Sequence, residues 1–433
     1  MNASHSHSDY DRIRWLVLGL LSLVMFGNYY VYDAVGPVAE QLERELGFSD
    51  IQIGWLNAIY SVPNIFLVLV GGIIVDRFGA ARITVITTAI CLAGAILTAA
   101  SGDFNTMVSG RFLFGIGAET MLVAATVAIG LWFSRAGVAF AMALSLSVAR
   151  LGSYVADVSP VWASAAYDQG WQAPLIIAAV LAAVSLLAAV IYWYVDKVYA
   201  PPLPQTADDT QRVQWRDVLL FNRSFWYILG LTVLFYAVIF PFRSTFAIKY
   251  FQHAHDLELA SAATINSYVF LAAVFATPLF GWISDRYGHR ATMMVFGSLL
   301  LPLSFVGLGI SSWGLWVSTV LLGISFSLIP AVLWPSVVKL VAAERLGTAY
   351  GLLFMLQNLG MAAANIFAGW LNDINDAGAA NPAGYAPMLT FFAVLAVLAC
   401  VFSLALWRRE RGPEGHGLEK PDPIEAKPVG GLV

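Results

Sequence analysis

Apolar residues fall in blocks near 15–36, 51–75, 83–101, 107–132, 138–162, 172–195, 225–248, 262–284, 291–311, 313–338, 347–371 and 386–407. Each block supplies about the 20 residues with which an α-helix crosses a hydrocarbon core. A membrane barrel would instead alternate polar and apolar positions over about ten residues. The pattern predicts an all-α membrane protein of twelve transmembrane helices. A polar stretch with Pro201, Pro202, Pro204, Asp208 and Asp209 interrupts the blocks midway. The expected organisation is a tail over 1–14, a six-helix half over 15–195, a linker over 196–222, a second six-helix half over 223–407 and a disordered tail over 408–433.

Composition fits this reading. The chain has 433 residues, 59% hydrophobic and 12% charged, against about 25% charged in soluble domains. That excludes an ordinary water-soluble enzyme and a disordered chain. The net charge of −4 argues against a nucleic-acid partner. Cys91 and Cys400 lie in apolar blocks and read as packing residues. All six histidines fall in tails or expected loops, so neither a metal centre nor a buried histidine relay is expected. No nucleophile–base constellation, phosphate loop or cofactor motif is present. The first apolar block lacks a small-residue cleavage site and reads as a retained helix.

Lysine and arginine set the orientation. With the N-terminus inside, inner segments hold 18 of the 23 basic residues, including Arg77, Arg135, Arg286, Arg290 and Arg345. Outer segments hold Arg44 and Lys249; Arg111, Arg150 and Arg243 fall within spans. Both termini are expected in the cytoplasm.

The halves repeat. GIIVDRFG, from Gly72 to Gly79, follows the second block, and GWISDRYG, from Gly281 to Gly288, follows the eighth, 209 residues later. Arg135 and Gly137 recur as Arg345 and Gly347. Parallel repeats place a transporter's site at the midplane between them. In the motif, Gly72 and Gly281 would let helices approach closely. Asp76 and Asp285 would face a helix N-terminus. Arg77, Arg286 and Arg290 would pair with acids across the inner loops. Together with Gly79 and Gly288 these residues form an expected inner latch. The alternative is topology signal plus turn chemistry.

This pattern resembles the major facilitator superfamily, and RFLFGIG from Arg111 resembles its fourth-helix motif. The fifth block lacks the glycine- and proline-rich motif of drug exporters. NYYVYDAVGP (from Asn28), YSVPN (from Tyr60), RFLFGIGAET, ALSLSVARLGS (from Ala143), ATINS (around Thr264), ERLGTAYG (from Glu344) and LQNLG (ending at Gly360) resemble the lysosomal dipeptide transporter group. The resemblance implies movement of dipeptides by facilitated diffusion. It implies a role for Arg111 in packing, proton linkage or gating, of which a structural or gating one is expected. It also implies a partner glycoprotein for the lysosomal members; here a monomer is expected in the lipid bilayer, with any accessory subunit unassigned.

A charge at the bilayer centre costs about 2.5–3.5 kcal/mol on insertion scales, so each one needs a reason. Glu119 and Arg150 each lie about twelve residues into consecutive spans, roughly 18 Å deep in a core about 30 Å thick. They suit the ammonium and carboxylate of a zwitterion, and Arg150 can bind a carboxylate through both its nitrogens. The alternative is an ion pair between two helices that touches no ligand. Asp33 and Asp157 are candidate outer gates or accessory contacts, or acids reaching outer solvent. Arg243, after Pro241, is a candidate gate, or snorkels to the outer interface. Tyr60, Asn266, Trp334 and Asn358 are the neutral binding candidates. Asn64 shares the face of Tyr60 at i, i+4, and Gln357 is a further amide from the second half. The competing functions are a proton-coupled carrier of small organic anions or nitrate, and a non-transporting sensor. Pairing of Glu119 with Arg150 would favour the charged acid, and hence uniport.

Overall fold

A computed structural model describes residues 7–133, 137–199, 218, 220–309, 312–342 and 345–421. Arg135, Glu344, the linker prolines and the tail beyond Pro421 lie outside the described residues. The first half holds α1 (His7–Asp33), α2 (Asp50–Phe78), α3 (Ala80–Ala100), α4 (Phe104–Trp132), α5 (Val138–Asp157) and α6 (Gln172–Tyr199). The second holds α7 (Arg223–Pro241), α8 (Leu259–Tyr287), α9 (Arg290–Leu308), α10 (Ser312–Leu340), α11 (Leu346–Ile374) and α12 (Ala386–Glu410). Beyond Pro241 the α7 path continues through a π-helical turn, Phe242–Phe246, into Ala247–His255. Among the described residues ten helices are long and apolar enough to cross a membrane, or eleven when the bent α2 is counted as one span. The protein is a multi-pass integral membrane protein. We name the face where α1 begins and α12 ends the terminal face, and the opposite one the far face.

Helix starts sit where apolar blocks give way to capping residues. Ser49 and Gln52 form a capping box at α2. Asp103 accepts the Thr106 amide at 2.9 Å to begin α4, and the Thr106 bonds hold its carboxyl below the usual range. Asn222 accepts the Phe225 amide at 2.8 Å to begin α7. Gly79 and Gly288 end α2 and α8 with φ of +86° and +74°, which explains both motif glycines as turn formers.

Each half packs its own core. Phe235, Phe242, Phe305 and Phe392 anchor the second half; Leu56, Phe114, Trp132 and Tyr192 belong to two clusters in the first. In lipid, small residues let helices approach, because apolar burial alone gives no preference for protein over acyl chains. α2 meets α11 across the halves in this way. A Cβ on Gly54 would stand 2.5 Å from the Asn365 carbonyl, and one on Gly369 would strike the Asp50 carbonyl. Gly72 and Gly281 do not have the expected role: open space lies beside both.

The tail also departs from expectation. Residues 408–421 are not a disordered extension: α12 runs to Glu410, and the following segment folds back onto the α8–α9 loop. Leu418 is fully buried, and its carbonyl accepts the Arg290 amide at 2.9 Å. Glu410 accepts Ser224 Oγ and the His416 amide, each at 2.7 Å.

Candidate functional site

A cavity of about 560 Å³ lies between the halves, within the range of small-molecule sites. Its lining runs from Tyr32, beside Asp33, and Tyr60 to Gly281 and Pro335 toward the terminal face.

Helix packing aims the two central charges into it. Gly117 turns toward α3, where a Cβ would stand 2.5 Å from the Thr87 carbonyl. Glu119, two residues on and about 200° round the helix, therefore faces the cavity. Gly152 is pressed against the Phe26 carbonyl of α1. Arg150, two residues earlier, is turned away from α1 by the same arithmetic.

Glu119 and Arg150 do not pair with each other among the described residues. Glu119 Oε1 accepts only a long bond from the Tyr60 hydroxyl, at 3.4 Å. Arg150 Nη1 is buried without a hydrogen-bond partner. Its guanidinium lies 4.5 Å from the Phe326 ring centroid, 5.5 Å from Phe270 and 5.6 Å from Tyr29. Such contacts steady a cation without saturating its donors. The interhelical ion pair is thus corrected, and the uniport argument built on it loses its footing.

Tyr60 and Trp334 line the same cavity, as does Gln357. Asn266 and Asn358 do not. Asn266 donates to the Arg243 carbonyl at 3.2 Å, and Asn358 to the Phe354 carbonyl of its own helix at 3.0 Å. The sequence reading missed Tyr236, Phe240, Phe326 and Phe354, which line the second-half wall. An aromatic residue in an apolar block carries no mark that separates cavity from core or lipid.

The far face is closed by charge. Arg243 does not snorkel to the interface; only 2% of it is exposed. It donates to Asp33 Oδ1 at 2.6 Å and pairs with the Asp157 carboxylate, its guanidinium 3.7 Å from the Phe270 centroid. Thus a base of the second half holds two acids of the first. Six residues on, buried Lys249 pairs with Glu43 and, at 2.5 Å, with Asp50. Then His253 meets Glu40 at 2.6 Å. His253 and His255 sit on the last turn of a helix rather than in a loop. The carboxylate of Asp373 accepts the amides of Asp50 and Ile51 at 2.8 and 3.0 Å, an anion at the N-terminus of α2. The π-helical turn carries Arg243 itself, and such turns mark functional sites. Lys249, Asp50, Glu40 and His253 were missed because they read as ordinary loop charges.

Arg111 is a brace. It is buried and donates to the carbonyls of Leu56 and Val31 at 3.0 Å, to that of Tyr32 at 3.1 Å and to Asn57 Oδ1 at 2.7 Å. It ties α4 to α1 and α2. At the terminal face Arg290 donates to Asp285 at 2.9 Å. Arg286 is exposed, as are Asp76 and Arg77, and no ion pair engages Asp76 or Arg77 among the described residues. The expected latch is engaged in one half and open in the other.

The Major Facilitator Superfamily model matches residues 21–264 and 242–430. The lysosomal dipeptide transporter MFSD1 of Danio rerio is 32% identical over 93% of this chain and 88% of its own length. The human protein of the same name is 30% identical over the same shares. A probable sulfoacetate transporter of Cupriavidus necator is 26% identical over 82% of this chain and 85% of its own. Among solved structures, a bacterial homologue of the lysosomal transporter Spinster, inward-facing and unoccupied, superposes with a TM-score of 0.73 at 16% identity, over 92% of this chain and 97% of its own. The nucleoside transporter NupG, as a mutant, gives 0.73 at 16% identity, over 92% and 99%. These matches, the twofold motif and the two packed halves agree: the chain is a membrane transporter, not an enzyme, and belongs to the major facilitator superfamily.

Proposed function

We propose that this transporter carries dipeptides between the two faces of the membrane by alternating access, with facilitated diffusion as its driving mode. The observation that carries the proposal is the separation of Glu119 from Arg150 inside one cavity. Each is half-buried at the cavity wall, and each keeps free hydrogen-bonding capacity. A buried charge without a partner is costly, so a ligand that supplies both counter-charges would stabilise the site. A peptide's ammonium suits Glu119 and its carboxylate suits Arg150. Tyr60, Trp334 and Gln357 supply further contacts. The names of relatives at 30–32% identity support the same class. With Glu119 ionised, it and Arg150 sum to zero charge, as does a zwitterionic dipeptide; in that charge state neither loading nor return requires a proton for charge balance. The arginine and lysine bias puts both termini in the cytoplasm, which makes the terminal face the inner one. The cavity then opens inward, and the outer side is the ion-paired one.

The test is uptake of labelled Ala-Ala into proteoliposomes, with and without a pH gradient, competed by mono-, di- and tripeptides. One residue more or less shifts the termini by about 3.3–3.6 Å in an extended chain, so dipeptides should compete best. Equal competition by all three lengths, or unchanged uptake in both Glu119→Gln and Arg150→Lys, would overturn the reading. Accumulation driven by pH would reject facilitated diffusion. Competition by sulfoacetate or nitrate, but not by dipeptides, would favour an anion carrier acting through Arg150.

A further inference from the structure

The two walls of the cavity differ in kind. Its two charged lining residues, Glu119 and Arg150, belong to the first half. The second half contributes a chain of rings. It starts at Phe326, whose face carries the Arg150 guanidinium at 4.5 Å. Phe240 meets Phe326 edge-on at 5.8 Å, and Tyr236 stacks on Phe240 at 5.7 Å with planes 11° apart. Trp334 follows at 6.2 Å from Tyr236, and Phe354 stacks on Trp334 at 4.7 Å and 17°.

The wall is held rigid. Trp334 Nε1 donates to the Tyr236 hydroxyl at 3.1 Å, and the Tyr350 hydroxyl donates to the Trp334 carbonyl at 2.9 Å. Trp334 and Phe354 remain partly exposed on the cavity side. A rigid aromatic face offers offset or edge contacts to another ring, at little entropic cost to the protein.

We infer that this wall is a side-chain subsite for an aromatic residue at the carboxyl-terminal position of the dipeptide, with Trp334 as its specificity-determining residue. The inference rests on the dipeptide reading and sharpens it. A carboxylate held by Arg150 sits at the Phe326 end of the wall. The α-carbon is one bond from that carboxylate, so its side chain would start beside Phe326 and run along the row of rings toward Phe240, Tyr236 and Trp334. The amino-terminal side chain belongs with the ammonium near Glu119 and Tyr60, on the opposite wall. The wall carries no charge, so an ionic side chain would be desolvated against it without a full counter-charge.

Competition against labelled Ala-Ala uptake tests this. Ala-Phe should inhibit at about one-tenth the concentration of Ala-Ala, the scale of one ring burial plus a stacking contact, and should outperform Phe-Ala. In Trp334→Ala the ratio between Ala-Phe and Ala-Ala should fall toward one. Trp334→Phe, which keeps a ring and guards against a folding defect, should retain part of it. Equal potency of Ala-Phe and Phe-Ala, or an unchanged ratio in Trp334→Ala, would overturn the subsite while leaving dipeptide transport standing. Ala-Ala uptake indifferent to both Glu119→Gln and Arg150→Lys would remove the dipeptide reading, and the subsite with it.

Discussion

Two sets of buried charges sit within one bundle and are treated in opposite ways. At the far face Arg243 and Lys249 each hold two acids, across the seam between the halves. At mid-depth Glu119 and Arg150, half-buried along the cavity, hold nothing ionic. The first arrangement closes a surface; the second keeps charge available. Burial alone therefore does not separate gate from binding site in this fold. On the proposed reading satisfaction does: a paired charge serves the protein, and an unpaired one is kept for a ligand.

The largest effect should come from breaking the paired set. Arg243→Ala leaves Asp33 and Asp157 buried without their base, and loss of one partner of such a cluster costs about 3–5 kcal/mol. Thermal unfolding in detergent should show a clear drop in Tm. Asp33 and Asp157 should also become reachable, so a cysteine placed at either in the Arg243→Ala background should label faster from the far face than in the parent. A Tm within error of the parent would mean the cluster does not hold the halves together.

The unpaired set should behave in the reverse sense. Arg150→Lys keeps the charge but loses the planar fork, and a charged hydrogen bond of about 1.5–3 kcal/mol corresponds to roughly ten- to a hundredfold weaker substrate binding. Stability should hardly move, because no hydrogen bond to Arg150 Nη1 is lost. Uptake kinetics and Tm on the same preparations check both halves of the statement. A large Tm loss with intact affinity would turn Arg150 into a structural residue and erase the contrast.

How far this contrast could be read from residues alone depends on the kind of signal. Helix positions followed from apolar blocks, since lipid demands internally bonded helices of a set length. Glu119, Arg150 and Asp33 stood out because charge is rare within spans. Whether they pair was not readable: pairing depends on the rotation of each helix, and one residue of phase turns a side chain by about 100°. That is why Asn266 and Asn358, plausible by depth, face elsewhere. Arg243 was visible as a charge, but the π-helical turn that carries it has no signature in composition. The tail misled for a related reason. Its polar composition suggests disorder, yet buried Leu418 and the bonds made by Glu410 and Glu419 seat it.

A middle-sized effect should come from the seam itself. Gly54 faces the Asn365 carbonyl with a Cβ distance of 2.5 Å, so Gly54→Ala requires α2 and α11 to part. Overpacking of this kind costs about 1–3 kcal/mol. Here it should weigh against the far-closed state specifically. Accessibility of far-face cysteines should rise while the folded fraction stays high. If accessibility is unchanged, the close approach is not what keeps that face shut.

The smallest expected effect compares the two copies of the repeated loop. In the second half, Glu419 accepts the Thr292 amide and hydroxyl, both at 2.8 Å, and Leu418 accepts the Arg290 amide. The tail so caps the start of α9, which has no side-chain cap of its own. The start of α3 likewise has no side-chain cap. Glu419→Ala should cost about 1 kcal/mol, the size of a lost helix cap. The loss should be local, so hydrogen exchange at the amides of Arg290, Thr292 and Met293 should accelerate several-fold, while exchange at Ala80 and Ala81 stays as it was. Equal acceleration in both loops would mean that the tail acts on the whole terminal face. No acceleration at Thr292 would mean that the cap contributes nothing, and that Leu418 seats the tail by packing alone.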